Sequence, residues 1–135
     1  MTDVSAVTPT TEEDKVLPAA VYGLHLLGFA SGGLTAVVGL IVAYVNRDAA
    51  GPINESHYTF AIRTFWLSIA WFLIGGLLLV FGLPSILLLG LGIPMMLAGG
   101  GILTLISTWF AVRNILGIYY LVRGEAYPRP RSWLI

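Results

Sequence analysis

The chain has 135 residues, 57% of them hydrophobic and 10% charged, with seven basic and seven acidic side chains and no cysteine. A soluble domain carries about 25% charged residues and needs them most when it is small, so this composition excludes an ordinary water-soluble fold, and disorder with it. A zero net charge leaves no basic surplus for neutralising phosphates, which excludes nucleic acid as a partner. Without Cys there are no disulfides, thiolate metal sites or cysteine nucleophiles.

Residues 1–15 form a polar, Thr-rich tail that concentrates the acids Asp3, Glu12, Glu13 and Asp14. It has too little apolar area to offset the entropy of ordering, so it is expected to be mobile. An acidic start is wrong for a removable signal peptide, and the first apolar stretch is expected to be retained. Val16 to Asn46 is free of charge for about 30 residues, against roughly 20 needed to cross a bilayer. Ser31-Gly32-Gly33 is its weakest point. The stretch is either one long tilted helix or two shorter helices broken there.

Asn46-Arg47-Asp48 ends this segment in water, and Ala49-Ala50-Gly51-Pro52 reads as a turn. Ile53 to Arg63 is mixed in polarity and predicts an interfacial helix start, with Asn54 or Ser56 as N-cap. Thr64 to Val112 is charge-free over about 49 residues, which suits two spans and a short turn. The placement of Gly and Pro predicts a helix from Arg63 to Leu83, a turn from Pro84 to Ile93, and a last helix from Pro94 to Val122. Gly124 to Arg131 contains two prolines and cannot be helical throughout. The expected fold is an all-α polytopic membrane bundle of three to four helices over residues 16–123, followed by a C-terminal tail, 124–135.

Six of the seven bases lie in the Arg47–Arg63 loop or toward the C-terminal end, and the Pro84–Pro94 connection holds none. By the positive-inside rule the tail and the Arg-bearing loop face the cytoplasm and the Pro84–Pro94 connection faces away. The side of the N-terminus depends on whether the first segment is broken.

Arg113 interrupts the last apolar run. A helix entering the membrane at Met95 puts Arg113 about 27 Å further on, at the inner interface. With Arg123 at the interface instead, Arg113 sits about 15 Å deep. There it would need Glu55, Asp48, a helix C-terminal carbonyl or a lipid headgroup. Arg63 opens the second hydrophobic block as an anchor, or pairs with Arg113 around one anionic group through charge-assisted bonds. His25 lies inside the first apolar segment and His57 precedes the second. An intramembrane His most often bonds a neighbouring helix, and the sequence has no ligand set beside either that would hold a metal or haem. No cofactor is implied. Phe65, Trp66, Trp71, Phe72, Trp109, Phe110, Tyr119 and Tyr120 suit interfacial belts and packing, and Gly99-Gly100-Gly101 suits close helix contact.

Three stretches carry a family likeness: Ala43-Tyr44-Val45-Asn46-Arg47-Asp48, Ser56-His57-Tyr58-Thr59-Phe60-Ala61-Ile62-Arg63-Thr64-Phe65-Trp66, and Arg123-Gly124-Glu125-Ala126-Tyr127-Pro128. From Val16 to Ile135 the chain resembles small bacterial membrane proteins related to the chloroplast inner-envelope import component of the twenty-kilodalton class. The resemblance implies four helices, a broken first segment, an N-terminus inside, and Arg63 and Arg113 within the family pattern. It implies no activity and supplies no catalytic residues, and the Pro128–Ile135 ending carries more proline and charge than the wider group. No nucleophile–base pair can be assembled from the sequence. The expected role is therefore a non-enzymatic structural, assembly or translocation-associated subunit, working as a homo-oligomer or in a larger membrane complex. The alternatives are a small oligomeric transporter or channel, and anionic-lipid binding by the arginines.

Overall fold

Four helices account for most of the chain in a computed structural model that describes residues 13–88 and 90–135. They are α1 (Val16–Ser31), α2 (Leu34–Arg47), α3 (Pro52–Ser85) and α4 (Gly92–Val122), and no strand occurs among the described residues. Of the 1–15 tail, only Glu13, Asp14 and Lys15 fall within them.

The first apolar segment is two helices. Gly32 and Gly33 both adopt positive φ, 66° and 95°, a conformation in which a Cβ would be strained. The reversal is held by hydroxyls. The Thr35 backbone N–H donates to Ser31 Oγ at 3.1 Å, and Thr35 Oγ1 donates back across the hairpin to the Leu24 carbonyl at 2.9 Å. Close approach follows from small residues. A Cβ on Gly28 would stand 2.9 Å from that of Ala36, and one on Gly39 would stand 3.0 Å from the His25 ring.

The predicted interfacial start and the predicted third helix are one continuous element of 34 residues. Its N-terminus is not capped by Asn54 or Ser56. Gly51 precedes Pro52, and the Glu13 carboxylate accepts from the backbone N–H of Ile53 (3.3 Å) and Asn54 (2.7 Å). A carboxylate here meets the helix's unpaired donors and the positive end of its dipole. Asn54 Nδ2 donates to the Asp14 carbonyl at 2.6 Å, fastening the same junction.

α3 and α4 form the largest helix–helix interface. Glycines let them touch: a Cβ on Gly99 would lie 2.8 Å from the Gly75 carbonyl oxygen, and one on Gly82 would lie 2.9 Å from Met96 Cγ. Within the Gly99-Gly100-Gly101 run only Gly99 serves this contact, since Gly100 and Gly101 face open space.

The α1–α2 hairpin is short. Its helices rise about 24 and 21 Å, against about 51 and 46 Å for α3 and α4. It packs only against the lower parts of the long pair. Above Ser68 and Ile106, the buried residues of α3 and α4 are the glycines 75, 82, 92 and 99. Leu73, Leu77, Val80, Phe81 and Leu97 point outward there, and Leu87 at the turn is 91% exposed.

α4 ends in a Schellman motif: Gly124 has φ 71°, its N–H donates to the Leu121 carbonyl, and the Glu125 N–H donates to that of Tyr120. This arrangement satisfies the last carbonyls and turns the chain back. Tyr127 then stacks on Phe60 of α3 with centroids 3.6 Å apart and meets Tyr120 edge-on at 5.2 Å. Residues 124–135 therefore lie against the bundle.

Candidate functional site

Polarity runs inward in the lower half of the bundle. His25, Asn54, His57, Thr64, Ser68, Arg113 and Asn114 are buried, while large apolar side chains cover the outside. Three centres result.

Arg113 is the largest fully buried side chain, at 0% exposure. No carboxylate pairs with it among the described residues, where the two ion pairs are Arg47–Asp48 and Arg123–Glu125. Its Nε donates to Thr64 Oγ1 at 2.8 Å. Its Nη1 donates to the backbone carbonyls of Ser132 (3.2 Å) and Leu134 (3.1 Å). Its guanidinium carbon lies 4.1 Å from the Phe60 ring centroid and 4.7 Å from that of Trp109. Hydrogen bonds from a charged donor are worth about 1.5–3 kcal/mol each and cation–π contacts about 0.5–2 kcal/mol. Together they offset a desolvation penalty of several kcal/mol without an anion.

Arg63 grips the same tail segment: its guanidinium carbon lies 5.3 Å from the Trp133 ring centroid. Trp109 Nε1 donates to the Leu134 carbonyl at 2.8 Å. Two arginines and a tryptophan thus hold Ser132–Leu134 across the face of α3 and α4. Arg63 Nε and Arg113 Nη2 have no hydrogen-bond partner among the described residues. Glu55 sits exposed in the first turn of α3 and takes no part, and Asp48 pairs with Arg47.

His57 links three elements. Its Nε2 lies 2.8 Å from the Glu125 carbonyl, which can only accept, so this nitrogen carries the proton. Nδ1 then accepts from the Tyr22 hydroxyl of α1 at 2.9 Å. Gly117 makes the room, since a Cβ there would run into the Tyr22 ring. Burial pushes the Tyr127 phenol above its ordinary value, with Arg113 pulling the other way, so the ring closes the tail's contact in its neutral form.

His25 ties α1 to α4. Its Nδ1 lies 3.1 Å from Asn114 Oδ1, and its ring packs between Phe65 (6.1 Å) and Phe110 (5.6 Å). A cavity of about 500 Å³ opens beside it, between the Gly32–Gly33 tip and Phe65, Ser68 and Phe110. No group of three His, Cys, Asp or Glu side chains able to hold a metal occurs among the described residues.

Comparison with family models, with curated proteins and with solved structures returns no match. Fold and site therefore rest on the chain's own geometry. Sequence reasoning singled out Arg63, Arg113, His25 and His57 but missed Thr64, Asn114, Tyr22 and Tyr127, which bind or enclose them. The available signal was polarity in an apolar run: Thr64 and Asn114 flank or interrupt charge-free stretches, where an interior polar group needs a partner.

Proposed function

We propose that the chain is a small integral protein of the bacterial cytoplasmic membrane that works as a structural or assembly subunit. The observation that carries the membrane reading is the inverted polarity. Only 17% of the most apolar stretch of each long helix is buried, whereas the core helix of a soluble protein is mostly buried. Polar side chains, by contrast, fill the interior.

From Arg63 to Ser85 α3 rises about 33 Å, and from Gly92 to Arg113 α4 rises about 32 Å. Both lengths match a hydrocarbon core of about 30 Å. The two arginines then stand at the cytoplasmic boundary, level with Trp66, Tyr44, Trp109 and Trp133, a position aromatic side chains favour. The α1–α2 hairpin enters from that side and does not cross, so both ends of the described chain share a compartment. The resemblance to the import-component relatives points to the same topology.

The subunit reading follows from what the bundle leaves bare. Among the described residues no third helix stands beside the upper α3–α4 hairpin. The outer side of α4 presents Gly100, Thr104 and Thr108 at four-residue spacing, with both hydroxyls turned onto backbone carbonyls. Such a stripe lets another helix approach closely in lipid. Crosslinking in native membranes tests this: a self-complex or a larger assembly is expected, and a strict monomer with no partner contradicts it. A second reading, binding of an anionic lipid headgroup, is favoured by Arg63, which is only partly buried and has no carboxylate partner among the described residues. Native mass spectrometry would then show phosphatidylglycerol retained by the wild type and lost from Arg63→Gln.

A further inference from the structure

Arg63 stands at the foot of an apolar groove. Arg63, Leu67 and Trp71 follow one another at four-residue spacing, which sets them in one row along α3. Leu67 and Trp71 form one wall of the groove, Ile102 and Trp109 of α4 the other, and Trp133 and Leu134 of the tail its lower end. The Trp133 ring centroid lies 5.3 Å from the Arg63 guanidinium carbon, so the charge and the groove adjoin. Every lining side chain is aliphatic or aromatic, and the Trp109 indole N–H is already committed to the Leu134 carbonyl.

The charge is available. Within the Arg63 side chain only Nε is both enclosed and unpaired; Nη1 and Nη2 donate to no described residue, and through them the side chain is partly exposed. Arg113, which holds the same tail segment, adds a second positive charge, and no acid pairs with either among the described residues. Open guanidinium donors favour phosphate through charge-assisted bonds. The groove's length selects what carries that phosphate. From Arg63 to Trp71 α3 rises about 12 Å, whereas half of a hydrocarbon core about 30 Å thick is about 15 Å. The groove therefore ends near the mid-plane, which suits a lipid chain and is too short for a partner helix that crosses. Its volume of about 280 Å³ falls just under the roughly 300–1,000 Å³ of small-molecule sites, room for one chain with the rest of the lipid left in the bilayer.

We propose that Arg63 and this groove bind one anionic glycerophospholipid of the cytoplasmic leaflet, its phosphate on Arg63 Nη1 and Nη2 and one acyl chain along Leu67 and Trp71. The proposal rests on the headgroup reading above and adds to it the seat of the chain. A zwitterionic lipid fits the groove equally well, but it brings an ammonium to a place where two guanidiniums already stand, and like charges repel. Charge therefore sets the preference between lipids, and the groove sets the affinity they share.

The test titrates the full chain, in a neutral maltoside detergent, with dioleoyl phosphatidylglycerol or dioleoyl phosphatidylcholine and counts bound lipid by native mass spectrometry. The expected result is one phosphatidylglycerol per chain, held about tenfold more tightly than phosphatidylcholine. Arg63→Gln is expected to bring the anionic lipid down to the level of the zwitterionic one. Trp71→Ala removes a wall and is expected to weaken both lipids several-fold while the preference remains. Trp66→Ala, an exposed tryptophan outside the groove, is expected to change neither. Equal binding of the two lipids, or a preference that survives Arg63→Gln, overturns the headgroup reading and the proposal together. Binding that needs Arg63 but is unchanged in Trp71→Ala overturns the proposal alone and leaves the headgroup reading standing. A wild-type experiment decides the matter should Trp71→Ala fail to fold. Phosphatidylglycerol with a diazirine midway along one acyl chain, photolysed on the protein, is expected to label Leu67, Trp71 or Ile102. Labelling spread evenly over the exposed faces of α3 and α4 overturns the proposal.

Discussion

Replacing Thr64 by Val keeps the shape of the side chain and removes the hydroxyl that receives Arg113 Nε at 2.8 Å. Arg113 is entirely enclosed, so water cannot replace the lost acceptor. A hydrogen bond to a charged group contributes about 1.5–3 kcal/mol, and the substitution is expected to destabilise the fold by about 2 kcal/mol. That is roughly a thirtyfold change in the folded-to-unfolded ratio. Thr104→Val is the control. Its hydroxyl donates to its own helix at Gly100 and is exposed, so the expected change there is about 0.5 kcal/mol or less. Unfolding by graded sodium dodecyl sulfate in mixed micelles measures both. A double-mutant cycle with Arg113→Met isolates the contact, and coupling of about 1.5–3 kcal/mol between the two positions is expected. Equal effects of Thr64→Val and Thr104→Val, or additivity with Arg113→Met, would refute the claim that Thr64 stabilises the buried guanidinium.

Tyr127→Ala removes the stack on Phe60 and should release the tail, read as faster tryptic cleavage after Arg131, since the Arg129–Pro130 bond resists trypsin; Tyr127→Phe should leave the cleavage rate unchanged, because only the ring is used. Glu13→Ala strips the cap from α3 and is expected to cost about 0.5–2 kcal/mol, measured in the same detergent titration, with a null effect showing that the cap is dispensable. Gly99→Leu drives a side chain into the Gly75 carbonyl and should destabilise the monomer by about 1–3 kcal/mol. Gly100→Leu faces open space and should leave the monomer intact while weakening self-association, as judged by crosslinking in native membranes.

Much of the helical architecture was legible because charge-free length and Gly–Pro placement are local signals. The turn predicted at Pro84–Ile93 occurs at Ile86–Leu91, within a residue or two at each end, and the last helix begins two residues before Pro94. The break at Ser31-Gly33 was visible as a weakness but left open, since glycine is also tolerated inside long apolar helices. What settles it is the Ser31–Thr35–Leu24 hydroxyl chain, a tertiary feature of the folded hairpin. The start of α3 was misread for a similar reason: its cap comes from Glu13, 40 residues away in sequence, and a cap search among neighbouring residues cannot find it. Arg113 stood out as a charge in an apolar run, but the candidate partners were acids, a helix-end carbonyl or a headgroup. Its observed partners include the backbone carbonyls of a Pro-rich tail, which have no side-chain signature.

The central claim is that α3 and α4 cross a bilayer with Arg63 and Arg113 at the cytoplasmic boundary and both chain ends on that side. Native cysteine is absent, so single cysteines at Leu87, Asp48 and Arg129 can each be labelled by a membrane-impermeant maleimide in intact and permeabilised spheroplasts. Labelling of position 87 in intact cells, with 48 and 129 reacting only after permeabilisation, is the predicted result. Reaction of position 87 from the same side as 129 would contradict the account.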